Sequence, residues 1–458
     1  MKNLVMNIML IVIIFSSVTL AAERVSLGFI YNATDSIELV NRTDGAINQV
    51  SPTCLNIDSK GNLIVTKDLT HEFVREMKNR GILVIPFLSN HWIRSKGRAA
   101  INNADTLSEQ IVTVINEYDI DGINVDIENL TPEDRNRLSE FVKILKNKMP
   151  QNKILTVSVA ANPDGVDTGW QGSYDYEELG KNSDYLFVMT YDENSQGGES
   201  GPVASLEFVK KSINYALKYV SKDNIVMGIP LYGRFWKDDS KVGGEAVAIG
   251  ALPTLISKNK GIVKYDEILG EACTTFNVDN SQIISRINGK ILEDGNYTVW
   301  YQTEESIKAK LNIVNEYDLL GAGVWALGQE KVDVWEYYKN ELNKIPYESI
   351  EEEKKREEYE ALIVDLSRLK TPELISLKGE EIINESDLTK EDIIREKNKK
   401  INSNLMKEQE KRINSYEKIS KKIKKESEKG KEISKKMIQL DNKKQLYMYR
   451  YCRKDALK

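Results

Sequence analysis

Residues 118–130, YDIDGINVDIENL, decide how the rest of this chain is read. Taken as a strand from Ile123 to Glu128, the segment sends alternate side chains to opposite faces. One face carries Ile123, Val125 and Ile127, apolar cover for a layer of helices. The other carries Asn124, Asp126 and Glu128, an amide and two carboxylates in a row. Buried polar groups need partners and buried charges cost more still, so such a row marks a reaction centre. The alternative is a surface strand with a solvated acidic edge.

Outward from that stretch, apolar runs rich in β-branched residues alternate with amphipathic ones. Strands are expected near 25–31, 53–57, 82–88, 121–128, 154–160, 185–191, 225–231 and 322–327, and helical patterns at 105–117, 133–149 and 203–220. Thr131-Pro132 supplies a helix start. Eight strands, most followed by a helix over about 320 residues, predict an α/β fold, a parallel (β/α)8 TIM barrel. Residues 235–300 are too long and irregular for one helix. They are expected to form a small inserted α+β subdomain between strands 7 and 8.

In such barrels the chemistry sits at the carboxyl ends of the strands. Glu128 ends the fourth strand, Tyr191 and Asp192 the sixth, and Trp325 lies near the end of the eighth. Tyr31, Asn90 and Tyr232 fall near the ends of the first, third and seventh, and Met189 precedes Tyr191. An acid, amides, phenols and an indole around one pocket suit a sugar, whose faces stack on aromatics and whose hydroxyls need donors and acceptors. Asp126 and Glu128, two residues apart on one strand, have backbones about 6.6 Å apart on one side. They do not readily flank a sugar from opposite faces, as a nucleophile and an acid roughly 5 Å apart must. An acid and its helper fit better.

DGINVDIE at 121–128 resembles the DGxDxDxE signature of glycoside hydrolase family 18, with Asn124 in place of its second carboxylate. MTYDE at 189–193, SGPVASL at 200–206, IVMGIPLYGRFW at 225–236, YTVWYQTEESIKAKL at 297–311 and GAGVWALGQE at 321–330 follow in family order. The resemblance spans roughly residues 24–340. The Asn variant, with PFLSNHW at 86–92 and GSYDYEEL at 172–179, is similar to the branch of spore cortex-fragment-lytic and other peptidoglycan N-acetylglucosaminidases.

That resemblance implies a substrate-assisted mechanism, in which the sugar's own N-acetyl oxygen attacks the anomeric carbon. It gives Glu128 the general acid/base role and has Asp126 hold the acetamido N–H. Tyr191 donates to the acetamido carbonyl, Asp192 supports the pocket, Trp325 forms its floor, and Asp121 supports from the opposite phase of the strand. Asn124, Met189, Tyr232, Tyr31 and Asn90 complete the expected substrate-binding set. An amide at 124 can hydrogen-bond Asp126 but cannot take its proton, so a simple acid limb is expected in the pH profile. The expected activity is endo- or exo-β-N-acetylglucosaminidase action on peptidoglycan. A chitinase of the same family and a lectin-like sugar-binding barrel are the alternatives; Glu128 speaks against the latter.

The ends of the chain differ from this body. Residues 1–22 have a lysine at 2, an apolar run from Leu4 to Phe15 and small residues at Ala21 and Ala22, the pattern of a secretory signal. An uncleaved membrane anchor is the alternative. A secreted protein of the cell wall or spore envelope follows. The catalytic barrel is expected over 23–346 and a charged helical or disordered tail over 347–458. From Lys400 onward 19 Lys+Arg stand against 8 Asp+Glu, a net of +11; the whole chain carries −6, so residues 1–399 carry −17. The basic tail suggests electrostatic attachment to anionic wall polymers. With two histidines and three scattered cysteines, no metal and no cofactor is expected. Nucleic acid is not an expected partner, and a monomer is expected.

Overall fold

A computed structural model describes residues 23–238, 240 and 243–344 of the chain. Residues 1–22 and 345–458 lie outside the described residues, and with them the signal and tether expectations.

Parallel strands run in the order Val25–Ile30, Gln49–Ile57, Leu83–Ser89, Gly122–Asp126, Ile154–Ala160, Tyr185–Met189, Ile225–Pro230 and Gly321–Trp325. Each pairs with the next, and the eighth pairs back onto the first through Gly321 with Val25 and Ala322 with Ser26, so the sheet closes into a barrel. The second strand is two segments, Gln49–Pro52 and Leu55–Ile57, and so is the third, Leu83–Val84 and Phe87–Ser89. A proline has no N–H for the ladder, and Pro52 and Pro86 stand at these breaks. The polar, proline-ended Gln49–Pro52 was not expected as strand. Gly122 opens the fourth strand where a Cβ would lie 2.0 Å from the Ile154 carbonyl oxygen, so only glycine admits the neighbouring backbone there.

The helices Ala104–Tyr118, Arg135–Lys148 and Leu206–Ala216 lie where the sequence places them. Thr131 and Asp134 form a capping box ahead of Arg135–Lys148. That helix packs Leu138, Phe141, Val142 and Leu145 into the same apolar layer as Ile123, Val125 and Ile127. The fourth strand is therefore covered on its outer face and turned inward with its polar one. The surface-strand alternative is excluded: Asn124 is 1% and Asp126 5% exposed.

Inside the barrel, Phe29, Phe87 and Phe187 form an aromatic plug with ring centroids 4.8–5.6 Å from Phe29. The insertion lies between the seventh and eighth strands. Its antiparallel sheet begins at Tyr232 and ends at Tyr301, slightly wider than 235–300, and carries the helix Leu252–Lys258.

Candidate active site

One large pocket of about 1090 Å³ opens over the barrel, lined among others by Asp126, Glu128, Met189, Tyr191, Asp192 and Trp325. The expected catalytic groups thus converge. The fourth strand, however, stops at Asp126, two residues short of the expected end. The third strand ends at Ser89, paired with Asp126, and the Asn90 side chain takes over where ladder bonds end. Asn90 Oδ1 accepts from the Glu128 N–H at 2.9 Å, and Asn90 Nδ2 donates to the Glu128 carbonyl at 2.8 Å. The Tyr174 hydroxyl donates to the Ile127 carbonyl at 3.1 Å. Glu128 is therefore held from both sides by non-local partners instead of by a sheet.

Burial dominates the electrostatics. It raises the Glu128 carboxyl well above its usual range, and the nearby charges of Asp126 and Asp192 raise it further. Burial also pushes Asp126 up to about 7, opposed by a hydrogen bond from Ser158. Both causes act on Glu128 in the direction that makes it hold its proton more tightly than an ordinary carboxyl, the direction a general acid needs. Burial, then Asp126 and Glu128, keep the Tyr191 phenol protonated as a donor.

Asp192 lies just past the sixth strand with a positive φ of 65°. Its Oδ1 accepts from the Tyr232 hydroxyl at 2.5 Å and from Arg234 Nε and Nη2 at 3.0 and 2.7 Å. Arg234 Nη1 donates to the Gly244 carbonyl. Tyr232 and Arg234 come from Tyr232–Lys237, the first strand of the insertion, so the insertion supplies part of the pocket wall. Trp325 lies 5.4 Å from Phe29 and 5.5 Å from Tyr31 between ring centroids, half-buried at the pocket floor. Trp92 and Trp170 line another part of the pocket, ring centroids 4.9 Å apart and edge to face.

Some expected ligands stand elsewhere. Asn90 is fully buried, and both ends of its amide are committed to backbone, which makes it a support for Glu128 and not a sugar contact. Asn124, expected to bind substrate, is likewise enclosed and outside the pocket lining: its amide, which could have bonded Asp126, bonds Thr156 at 2.7 Å and Ser158 at 2.8 Å. Tyr31 is exposed at the rim beside Trp325. Asp121 supports the barrel wall, its Oδ2 accepting from the Val84 N–H at 2.8 Å. Arg234, Tyr174 and Ser158 were not among the expected residues. Arg234 had a usable signal, since it shares a strand face with Tyr232 two residues earlier; the other two had none within their own segments. Among the described residues, no group of His, Cys, Asp and Glu is placed to hold a metal ion.

Residues 87–330 match the family described as Glycosyl hydrolases family 18. An "Uncharacterized glycosylase YvbX" of Bacillus subtilis (strain 168) is 27% identical over 327 residues, 69% of this chain and 90% of that protein. The cortical fragment-lytic enzyme of the same organism is 25% identical over 297 residues, 62% of this chain and 66% of that one. In three dimensions a chitinase from Chromobacterium violaceum ATCC 12472 superimposes with a TM-score of 0.63 at 24% identity, covering 70% of this chain and 99% of the chitinase. A match over more than half of the chain, with the family's acidic motif at the mouth of a closed barrel, makes this protein a member of glycosyl hydrolases family 18.

Proposed function

We propose that the protein is an exported β-N-acetylglucosaminidase that cuts peptidoglycan after N-acetylglucosamine with retention of configuration. The observation that carries the reading is that Glu128 and Asp126, two residues apart in one segment, line the same pocket, where burial and the neighbouring carboxylates favour the protonated form of Glu128. Two carboxyls on one side of the sugar leave the opposite attack to the substrate's acetamido oxygen. Glu128 protonates the departing glycosidic oxygen, and the acetamido oxygen closes on the anomeric carbon as the C–O bond breaks. Ionised Asp126 accepts the acetamido N–H and balances the cationic ring. Tyr191 donates to the acetamido carbonyl, and Trp325 packs beneath the sugar. Glu128, now a carboxylate, then draws the proton from water as its oxygen adds to the anomeric carbon, which reopens the acetamido group.

Similarity to the cortical fragment-lytic enzyme supports a wall polymer as substrate. The leader at 1–22 supports export, and the basic stretch from Lys400 would hold the acidic body to anionic wall polymers. The test is digestion of purified peptidoglycan and of chitin oligomers by the wild type and Glu128→Gln, with new reducing ends identified by mass spectrometry. Reducing N-acetylglucosamine from peptidoglycan, absent with the variant, is the expected result. Release from chitin alone would make it a chitinase. Binding without release by either protein would make it a sugar-binding barrel. Truncation after Pro346 should lower retention on walls at low salt and leave turnover of small substrates intact; unchanged retention removes the tether.

A further inference from the structure

The site contains a polar chain that the reaction above does not use. Asn124 pairs in register with Thr156 on the fifth strand, and two residues further along each strand, just past the last ladder pair of Val125 with Val157, Ser158 comes within hydrogen-bond reach of Asp126. Asn124 Nδ2 donates to Thr156 Oγ1 at 2.7 Å, and Ser158 Oγ donates to Asn124 Oδ1 at 2.8 Å. All three side chains are sealed from solvent, with Asn124 and Ser158 each 1% and Thr156 0% exposed. An unmet hydrogen bond here would cost the full desolvation of the group.

A serine hydroxyl has one proton. While Ser158 gives it to Asn124, only lone pairs face Asp126, which suits a protonated carboxyl. When Asp126 ionises, Ser158 must turn its proton toward the carboxylate. Asn124 then stays satisfied by a half-turn of its amide: Nδ2 donates to Ser158, and Oδ1 accepts from the Thr156 hydroxyl. Asn124 is satisfied in both patterns, because an amide has a donor end and an acceptor end and a hydroxyl is both; at the far end the Thr156 hydroxyl also hydrogen-bonds the buried Tyr185, which takes up the change.

We propose that Ser158, steered by Asn124 and Thr156, is a positioning residue for Asp126, through a relay that reverses its hydrogen-bond direction as Asp126 gains or loses its proton. The amide does by rotation what a carboxylate at 124 would do by sharing a proton. The chain acts within the glycosidase reading, since its use is to let Asp126 ionise when the acetamido group closes. Other groups also bear on Asp126. They are the carboxyls of Glu128 and, beyond it, Asp192, the phenols of Tyr174 and Tyr191, and the Arg234 guanidinium through Asp192; Ser89, its register partner on the third strand, does not titrate.

The test reads Asp126 directly. Its side-chain carboxyl is followed by ¹³C NMR in aspartate-labelled full-length protein, with Asp126→Asn identifying the resonance. Ser158→Ala removes the donor to the charged form and should move the midpoint up by about 0.5–1 pH unit. Ser158→Thr, which keeps a hydroxyl, should restore it, and Thr156→Val should raise it by a smaller amount from the far end of the chain. The acid limb of kcat/KM on a fluorogenic N-acetylglucosamine glycoside should move the same way. Midpoints unchanged in folded Ser158→Ala and Thr156→Val overturn the relay, whatever the activity. A shifted midpoint in a protein that cleaves no N-acetylglucosamine substrate keeps the relay and removes the glycosidase reading.

Discussion

Asn90 grips Glu128 by its backbone and not by its carboxyl: one amide takes the Glu128 N–H at 2.9 Å and gives to the Glu128 carbonyl at 2.8 Å. The Glu128 side chain is thus positioned by a fully buried residue that is not part of the pocket lining. Asn90→Ala removes both bonds and lets Glu128 drift. Since a misplacement near 1 Å can cost about 10²-fold in rate, kcat should fall by about that factor while KM changes far less. Steady-state kinetics on a soluble glycoside decide it. A kcat within about twofold of wild type, on the same scale, would leave Tyr174 and the strand as sufficient support.

Stability should depend on pH through the two raised carboxyls. A group whose folded pKa lies above its unfolded value stabilises fully below the unfolded value and loses that contribution as pH rises through the folded one. For Asp126 the loss runs from its ordinary 3.8 up to about 7. Glu128 is shifted the same way, from its ordinary 4.5. Asp126→Asn and Glu128→Gln, which have nothing to ionise, should gain in Tm over the wild type as pH rises across that window and match it most closely in acid. Melting curves at several pH values check this. A constant offset would mean that neither carboxyl is strained by its burial.

Asn124→Asp should remain active with a changed acid limb. A carboxylate at 124 would accept from Thr156 and Ser158 alike and would stand beside Asp126 as a second negative charge, raising the affinity of the pair for a proton. The pH–rate profile should then bend over two ionisations where the wild type shows a simpler limb. Loss of all activity, or an unaltered profile, would defeat this account of the position.

Lys310 and Glu271 form an ion pair with no solvent access, Nζ to Oε1 at 3.6 Å. Glu271 also accepts from the Val203 and Ala204 N–H groups and from Gln302, so it joins the insertion to the loop that carries Glu193. Removing one partner leaves an uncompensated buried charge, a loss of about 3–5 kcal/mol. Lys310→Met should show it in urea unfolding, and adding Glu271→Gln should recover part of it. A loss under about 1 kcal/mol would show that the three hydrogen bonds already satisfy Glu271.

The sequence by itself determined the barrel, the place of the insertion and the inward row of Asn124, Asp126 and Glu128. Those are local facts: strand alternation and helix periodicity are written within a few neighbouring residues, and the family motif lies in one segment. It also placed Tyr191, Asp192 and Trp325 at the pocket, because a strand's carboxyl end in this architecture is already a position in space. What it left open was who holds these groups. Asn90 meets Glu128 across 38 residues, Ser158 meets Asn124 across 34, Arg234 meets Asp192 across 42 and Tyr174 meets Ile127 across 47. An asparagine, serine, arginine or tyrosine reads the same on its own strand whether it binds sugar, backbone or another side chain. Only closure of the barrel, which packs neighbouring strands and buries their polar groups, forces each into one partnership; the tertiary structure therefore decided the support of the site.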